Sequence, residues 1–236
     1  MASGKLYLIP NIIADGTQDA VITAQIRSAL PGITYFLAED VRSARRFLSS
    51  LKIYESIEPL RFEVLDKDTE PSLVRGLLSP LLTGTDMGVI SESGCPGIAD
   101  PGAIAVRYAH ENNIQVVPLV GPSSILLALM ASGLNGQQFA FHGYLPIDSK
   151  EAERVIRSLE RDSKQTNRTQ VFIETPYRSN ALFQLLLKTL NETTFLCVAV
   201  NLTGANEEIK TATVKKWRTT SKILSKDPAV FLFLAI

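Results

Sequence analysis

Residues 87 to 102, MGVISESGCPGIADPG, constrain the fold more than any other stretch. A short β-branched strand runs directly into a loop holding Gly94, Gly97, Pro96 and Pro101, and Asp100-Pro101-Gly102 then opens a helical pattern. Glycine lets a ligand approach the backbone closely, and unpaired N–H groups gather where a helix begins. In open α/β sheets ligands bind at the carboxyl ends of strands, and this is such an end. A second turn of the same kind follows at once. Ile114 to Pro118 reads as a strand, and Gly121-Pro122-Ser123-Ser124 as a turn whose serine caps an apolar helix.

Strand-like runs alternate with helical periodicity around these turns. Leu6 to Ile9 predicts a strand, Thr17 to Leu30 a helix, Ile33 to Leu37 a strand and Val41 to Leu51 a helix. A short strand at Phe62 to Leu65 and a helix from Glu70, with Pro71 in its first turn, complete a first lobe with the strands Met87 to Ser91 and Ile114 to Pro118. Beyond a helix at 122 to 134 the pattern changes. Strands are expected at Phe139 to His142, Gln170 to Glu174, Phe195 to Leu202, Ile209 to Val214 and Ala229 to Ala235. The last three have little helix between them, which suits antiparallel or mixed pairing. The expected fold class is therefore α/β in two lobes: a mostly parallel sheet over 1–118 and a mixed-sheet α+β lobe over 119–236.

The 236 residues carry formal net charge zero, so no global field draws the chain toward nucleic acid or an acidic membrane. Any RNA contact must come from a local patch or from an assembled ribonucleoprotein rather than from bulk charge. Cys95 and Cys197 match no metal-ligand spacing, which points to a reducing cytosol and no metal. The longest near-apolar run, Ile125 to Ala131, falls far short of the roughly 20 residues of a membrane helix, so a cytoplasmic protein with no membrane partner is expected.

A series of ordered motifs now carries a resemblance. They are Leu6-Tyr7-Leu8-Ile9-Pro10, Ala38-Glu39-Asp40 with Arg42, Ser91-Glu92-Ser93-Gly94 with Pro96 and Asp100-Pro101-Gly102, and Val116 through Ser124. Ala131-Ser132-Gly133-Leu134, Phe141-His142-Gly143-Tyr144-Leu145-Pro146 and Glu174-Thr175-Pro176-Tyr177-Arg178 complete the series. In this order they resemble the tetrapyrrole-methylase-fold methyltransferases, and within them the ribosomal RNA small-subunit methyltransferase I family. The resemblance implies two lobes with S-adenosylmethionine (SAM) in a cleft between them, and a homodimer. It also implies cofactor contacts at Pro10, Ser91, Glu92, Ser93, Gly94, Pro96, Ser123, Ser124, Phe141, Gly143 and Tyr144. The sequence departs from that family at Asn11 to Gly16, where Pro-x-Gly-Asn-Leu is expected. It departs again around Arg61 to Asp68, where His-Asn-Glu is missing, and at Val200 to Gly204, in place of Arg-Glu-Leu-Thr-Lys.

Each of these residues also has an ordinary structural reading. Ser123 and Ser124 suit a helix cap, and His142 in an apolar strand suits a packed or hydrogen-bonded residue better than a general base. Asp40 suits an N-cap with Glu39 paired to Arg42, and Pro176 the first turn of a helix after Glu174. Arg42, Arg45, Arg46 and the basic residues from Lys150 to Arg168 suit solvated helix faces, and Trp217 a core anchor. Against these readings, Glu39, Glu174 and Arg178 end strands where function concentrates, and are the expected catalytic residues. The expected activity is SAM-dependent ribose 2′-O-methylation of small-subunit ribosomal RNA, presented by the ribosomal subunit. Two other readings fit the residues: methylation of a tetrapyrrole or other small molecule, and a non-catalytic SAM-binding module.

Overall fold

The computed structural model describes residues 3–236, which form two compact units that meet in the chain at Ser123 and Ser124. The first unit holds β1 (Lys5–Ile9), α1 (Gln18–Val21), α2 (Ala24–Ala29), β2 (Tyr35–Ala38) and α3 (Val41–Ser50). It continues through β3 (Arg61–Val64), α4 (Pro71–Leu82), β4 (Met87–Ile90), α5 (Gly102–Glu111) and β5 (Gln115–Pro118). Its five strands are all parallel, in the order β3-β2-β4-β1-β5.

The period of two in these strands sorts side chains into two cores. Phe36 and Ala38 of β2 and Ile90 of β4 join Ile26, Phe47 and Leu48 from α2 and α3. Tyr35, Leu37, Met87 and Val89 instead join Val74, Leu78, Ala105 and Ala109 from α4 and α5. Gly88 lies on the first of these faces, where an added Cβ would come within 2.5 Å of Ile9 Cδ1 and 2.9 Å of Phe36 Cδ1. Pro80 inside α4 removes the N–H that the Gly76 carbonyl would otherwise accept. The Ser79 hydroxyl donates to that carbonyl instead, at 2.8 Å.

The helix expected over Thr17 to Leu30 is broken. Ile22 is extended, at φ −84° and ψ 118°, and α2 restarts with Thr23 as its cap. Thr23 Oγ1 accepts from the Ile26 N–H at 3.3 Å and donates to the Val120 carbonyl at 3.0 Å. The break thus serves a distant turn that helical periodicity cannot reveal.

The second unit holds α6 (Ser124–Ser132), β6 (Phe139–Tyr144), α7 (Ser149–Thr166), β7 (Thr169–Glu174) and α8 (Ser179–Thr189). β8 (Phe195–Val200), β9 (Glu208–Thr213), α9 (Val214–Arg218) and β10 (Ala229–Leu234) follow. Its sheet runs β6-β7-β10-β8-β9, with only β6 and β7 parallel, as expected of a mixed sheet. Phe172, Phe231, Leu196 and Val198 build one core with Ile156 of α7 and Leu182, Phe183 and Leu186 of α8. Trp217 is the anchor there: it is buried edge-on to Phe183, and its Nε1–H donates to the Leu196 carbonyl at 2.8 Å. Among the described residues no helix is long and apolar enough to cross a membrane.

Replacing Trp217 with Phe removes that buried hydrogen bond and opens a small void, costing about 1–3 kcal/mol. The expected outcome is a lower urea midpoint for the second unit with no shift in the first, read by amide exchange.

Candidate active site

Strand order decides which loops meet. β1 lies between β4 and β5, so the segment leaving β1 runs between the two glycine–proline turns. Asn11 is the stitch. Its backbone N–H donates to the Gly94 carbonyl at 2.9 Å, and its amide nitrogen donates to the carbonyls of Ser91 at 3.0 Å and Glu92 at 3.1 Å. Asn11 Oδ1 accepts from the Ile12 N–H at 2.8 Å, so the whole buried amide is committed to loop shape. Pro10 does the same for the second turn, because an added Cβ on Gly121 would collide with the Pro10 ring. Gln25 Oε1 accepts from the Val120 N–H at 3.0 Å, and Cys95 Sγ lies 3.4 Å from the Pro122 carbonyl, tying the turns further.

Within the 91–102 loop the chemistry is mostly backbone. Ser91 is buried and its hydroxyl donates to the Gly94 carbonyl at 2.6 Å, so it shapes the loop. Gly94 sits at φ +69° with only the Pro122 carbonyl near a would-be Cβ, at 3.5 Å. Asp100 Oδ1 accepts from both the Gly97 N–H at 2.9 Å and the Gly102 N–H at 2.7 Å. That closure demands glycine at 102, because a Cβ there would stand 2.7 Å from Asp100 Oδ1 and 3.0 Å from Gly97 N. Glu92 and Ser93 are exposed at the loop mouth, and Pro96 is buried under it.

Asp40 caps α3, its Oδ1 accepting from the Ser43 N–H at 2.9 Å, but no Glu39–Arg42 ion pair forms among the described residues. Glu39 is surrounded by its own kind instead. Partial burial raises its carboxyl pKa, and the carboxylates of Glu92, Asp100 and Asp66 raise it further against a smaller opposing effect of Lys67. Beside Glu92, at the mouth between β2 and β4, lies a cavity of about 320 Å³ formed by the 11–16 segment and α3.

The second unit gathers its own residues. β6 is an edge strand whose register with β7 slips between Phe141 and Tyr144, and Gly143 takes φ +65° there. This bulge turns Tyr144 outward, where it is exposed. His142 Nε2 lies 2.6 Å from Gln170 Oε1, and Gln170 Nε2 donates to Asp162 Oδ2 at 2.7 Å. The amide therefore turns its oxygen toward His142, whose Nε2 carries the proton and is not poised to take one. Glu174 is buried. Its Oε1 accepts from the Thr175 N–H at 2.7 Å, and its Oε2 stands 3.0 Å from an Arg178 guanidinium nitrogen at an angle outside hydrogen-bond geometry. Arg178 also reaches the Pro146 carbonyl at 3.4 Å, so this pair fastens the end of β7 to the segment after β6. Ser123 and Ser124 stand at the junction of the units, Ser124 opening α6.

Parallel strands, twin glycine turns at their carboxyl ends and a mixed second sheet are the features of one class of enzyme. The tetrapyrrole (corrin/porphyrin) methylase family model matches residues 20–217, and the chain belongs to that family. It is a SAM-dependent methyltransferase. It is 30% identical over 213 residues to the ribosomal RNA small subunit methyltransferase I of Escherichia coli O157:H7, covering 90% of this chain and 70% of the relative. To the protein of the same name from Buchnera aphidicola it is 26% identical over 232 residues, covering 97% and 78%. The methyltransferase CobJ shares the fold at a TM-score of 0.62 with 16% identity, covering 99% of this chain and 100% of that one. A uroporphyrin-III-C-methyltransferase from Thermus thermophilus does so at 0.56 with 16% identity, covering 98% and 92%.

Asn11 is the functional residue that sequence reasoning passes over, since the loop it stitches is eighty residues away. Asn11→Ala strips two donated bonds, one from the buried Ser91 carbonyl and one from the part-buried Glu92 carbonyl, at a cost of about 1–3 kcal/mol. Faster amide exchange confined to residues 91–97 is the expected result. A second expectation concerns pH. Because Glu39 is raised in the folded state, its stabilising contribution is full below its unfolded pKa and is lost as pH rises through the folded value. Glu39→Gln is therefore expected to unfold at higher denaturant than wild type at neutral pH, and the gap should close on acidification below the ordinary carboxylate range.

Proposed function

We propose that this protein transfers a methyl group from SAM to a ribose 2′-hydroxyl of small-subunit ribosomal RNA. The observation that carries the proposal is the stitched pair of glycine turns, read with the names of the relatives that align over nine-tenths of the chain. The residues fit the cofactor. SAM is zwitterionic at its amino-acid end and bears a sulfonium, so it suits backbone donors and acceptors with few fixed charges. The turns offer that backbone: Gly94 has no side chain and takes φ +69°, and Ser93 stands exposed at the mouth.

SAM supplies a methyl already activated on sulfur; transfer breaks the C–S bond, leaves its electron pair on sulfur, forms a C–O bond and gives the hydroxyl proton to a base. The chain aligns the acceptor oxygen, excludes water and takes up that proton. Glu39 is the assigned acceptor, because partial burial and then its neighbouring carboxylates raise its affinity for a proton above that of an ordinary carboxylate. Glu174 and Arg178, paired to each other, act by holding their loop.

The acceptor in this proposal is an assembled or partly assembled subunit in the cytosol, since a chain of zero net charge has little long-range pull on free RNA. A homodimer belongs to the same proposal, with α6 as the natural contact because Leu126 and Met130 stand exposed on it. A scattering mass near 25.8 kDa at micromolar protein would overturn that part.

Calorimetry with SAM and S-adenosylhomocysteine, followed by incubation of labelled SAM with small subunits or with tetrapyrrole precursors, tests the whole. Binding is expected, weakened by Gly94→Val, with label in ribosomal RNA that falls as salt rises and is lost in Glu39→Gln. Label in a tetrapyrrole, or tight binding with label in neither, would replace this function by one of the other two readings.

A further inference from the structure

The cavity beside Glu92 is built where this sequence leaves the pattern of its family, and its lining has its own chemistry. Ser43, Arg46, Phe47 and Ser50 recur at the spacing that puts them on one face of α3, and that face forms one wall. The 11–16 segment forms the other, with Ile12 and Ile13 as apolar surface and Asp15 at the rim. Neighbouring Arg45 points elsewhere and is neutralised by Glu58 at 2.8 Å. Arg46 makes no ion pair among the described residues, so its guanidinium is available to a ligand. Asn11 spends its amide on the loop and the Ser50 hydroxyl donates to the Phe47 carbonyl at 2.7 Å. What the lining offers a ligand is then two carboxylates that accept, one guanidinium that donates, the Gln18 amide and Ser43 hydroxyl, which can do either, and apolar walls.

That set selects its occupant. A bare phosphate would meet Asp15 and Glu92 as like charges, and an organic cation would meet Arg46. A neutral heterocycle with an exocyclic amine and a ring carbonyl satisfies both signs at once, the amine donating to a carboxylate and the carbonyl accepting from arginine. In single-stranded RNA such bases are unstacked and free to enter a pocket edge first.

We propose that the cavity between the 11–16 segment and α3 receives one unstacked nucleobase of the RNA, with Asp15 and Glu92 on its amine and Arg46 on its carbonyl. This rests on the RNA methyltransferase reading and adds which residues hold the RNA and what they read. The carboxylates discriminate against bases lacking an amine, and Arg46 against those lacking a carbonyl.

Ligand-observed NMR titration of the full chain with CMP, GMP, UMP and inorganic phosphate, each with and without saturating S-adenosylhomocysteine, tests it. CMP or GMP should bind saturably and more tightly than UMP, phosphate should not compete, and S-adenosylhomocysteine should leave the nucleotide in place. Arg46→Ala, at an exposed position, should weaken the nucleotide by about tenfold, the size of one lost directed polar contact. Ser50→Trp, filling the cavity, should abolish it, and both variants should keep S-adenosylhomocysteine affinity. Phosphate binding with the same Arg46 dependence, displacement of the nucleotide by S-adenosylhomocysteine, or no nucleotide binding while S-adenosylhomocysteine binds normally would each overturn the inference. The last leaves the methyltransferase reading intact. Nucleotide binding without any S-adenosylhomocysteine binding would support the pocket and sink that reading instead.

Discussion

The glycine loop after β4 takes its shape from one buried amide. A loop with glycines in left-handed conformation has many shapes of similar energy, and hydrogen bonds of ordinary strength cannot choose among them unless several act on the same few residues. Asn11 supplies three donated or backbone bonds across only four residues, Ser91 to Gly94, from a position that the parallel sheet has already fixed. Because the amide is buried, leaving any of those carbonyls unpaired is costly, which converts modest bonds into a strict geometric demand. The sheet sets the position, the amide sets the loop, and the loop sets where a ligand can approach backbone.

The electrostatics divide along the same lines. Taken whole, the chain carries no excess charge, yet Glu39, Glu92, Asp100 and Asp66 lie close enough to raise Glu39. Arg46 faces the neighbouring cavity without a partner among the described residues, while most cations nearby are paired: Arg45 with Glu58, Arg61 with Glu63, Arg27 with Asp19. Exposed pairs of that kind add little stability, but they take charge out of play. What remains unpaired is local, which suits a surface that meets its partner at short range and discriminates by contact.

Most of the fold was legible in the sequence because it rests on periodicity and punctuation. Period-two apolar runs located every strand to within a few residues, and the Asp100-Pro101-Gly102 triplet located the start of α5. The break at Ile22 and Thr23 was hidden, since its cause is a bond to Val120, and so was the Asn11 stitch, which needs β1 to lie between β4 and β5. The neighbours of Glu39 were hidden for the same reason: all four of its charged influences come from the loops after β3 and β4. His142 and Trp217 show the reverse, their structural readings being the sounder ones because their hydrogen bonds satisfy them inside the second unit.

The closure of the 91–102 loop has a bearing on how such a chain changes over generations. Asp100 binds the N–H groups of Gly97 and Gly102, and the space its carboxylate fills is the space a side chain at 102 would need. Neither residue can be exchanged alone: a larger residue at 102 evicts the carboxylate, and loss of the carboxylate frees two amides with nothing else to bind. The triplet therefore passes through substitution as one unit. Drift in this loop is channelled into Ile98 and Ala99, which lie exposed between the two anchors, and at Ala99 it is narrowed by a left-handed backbone at φ +55°.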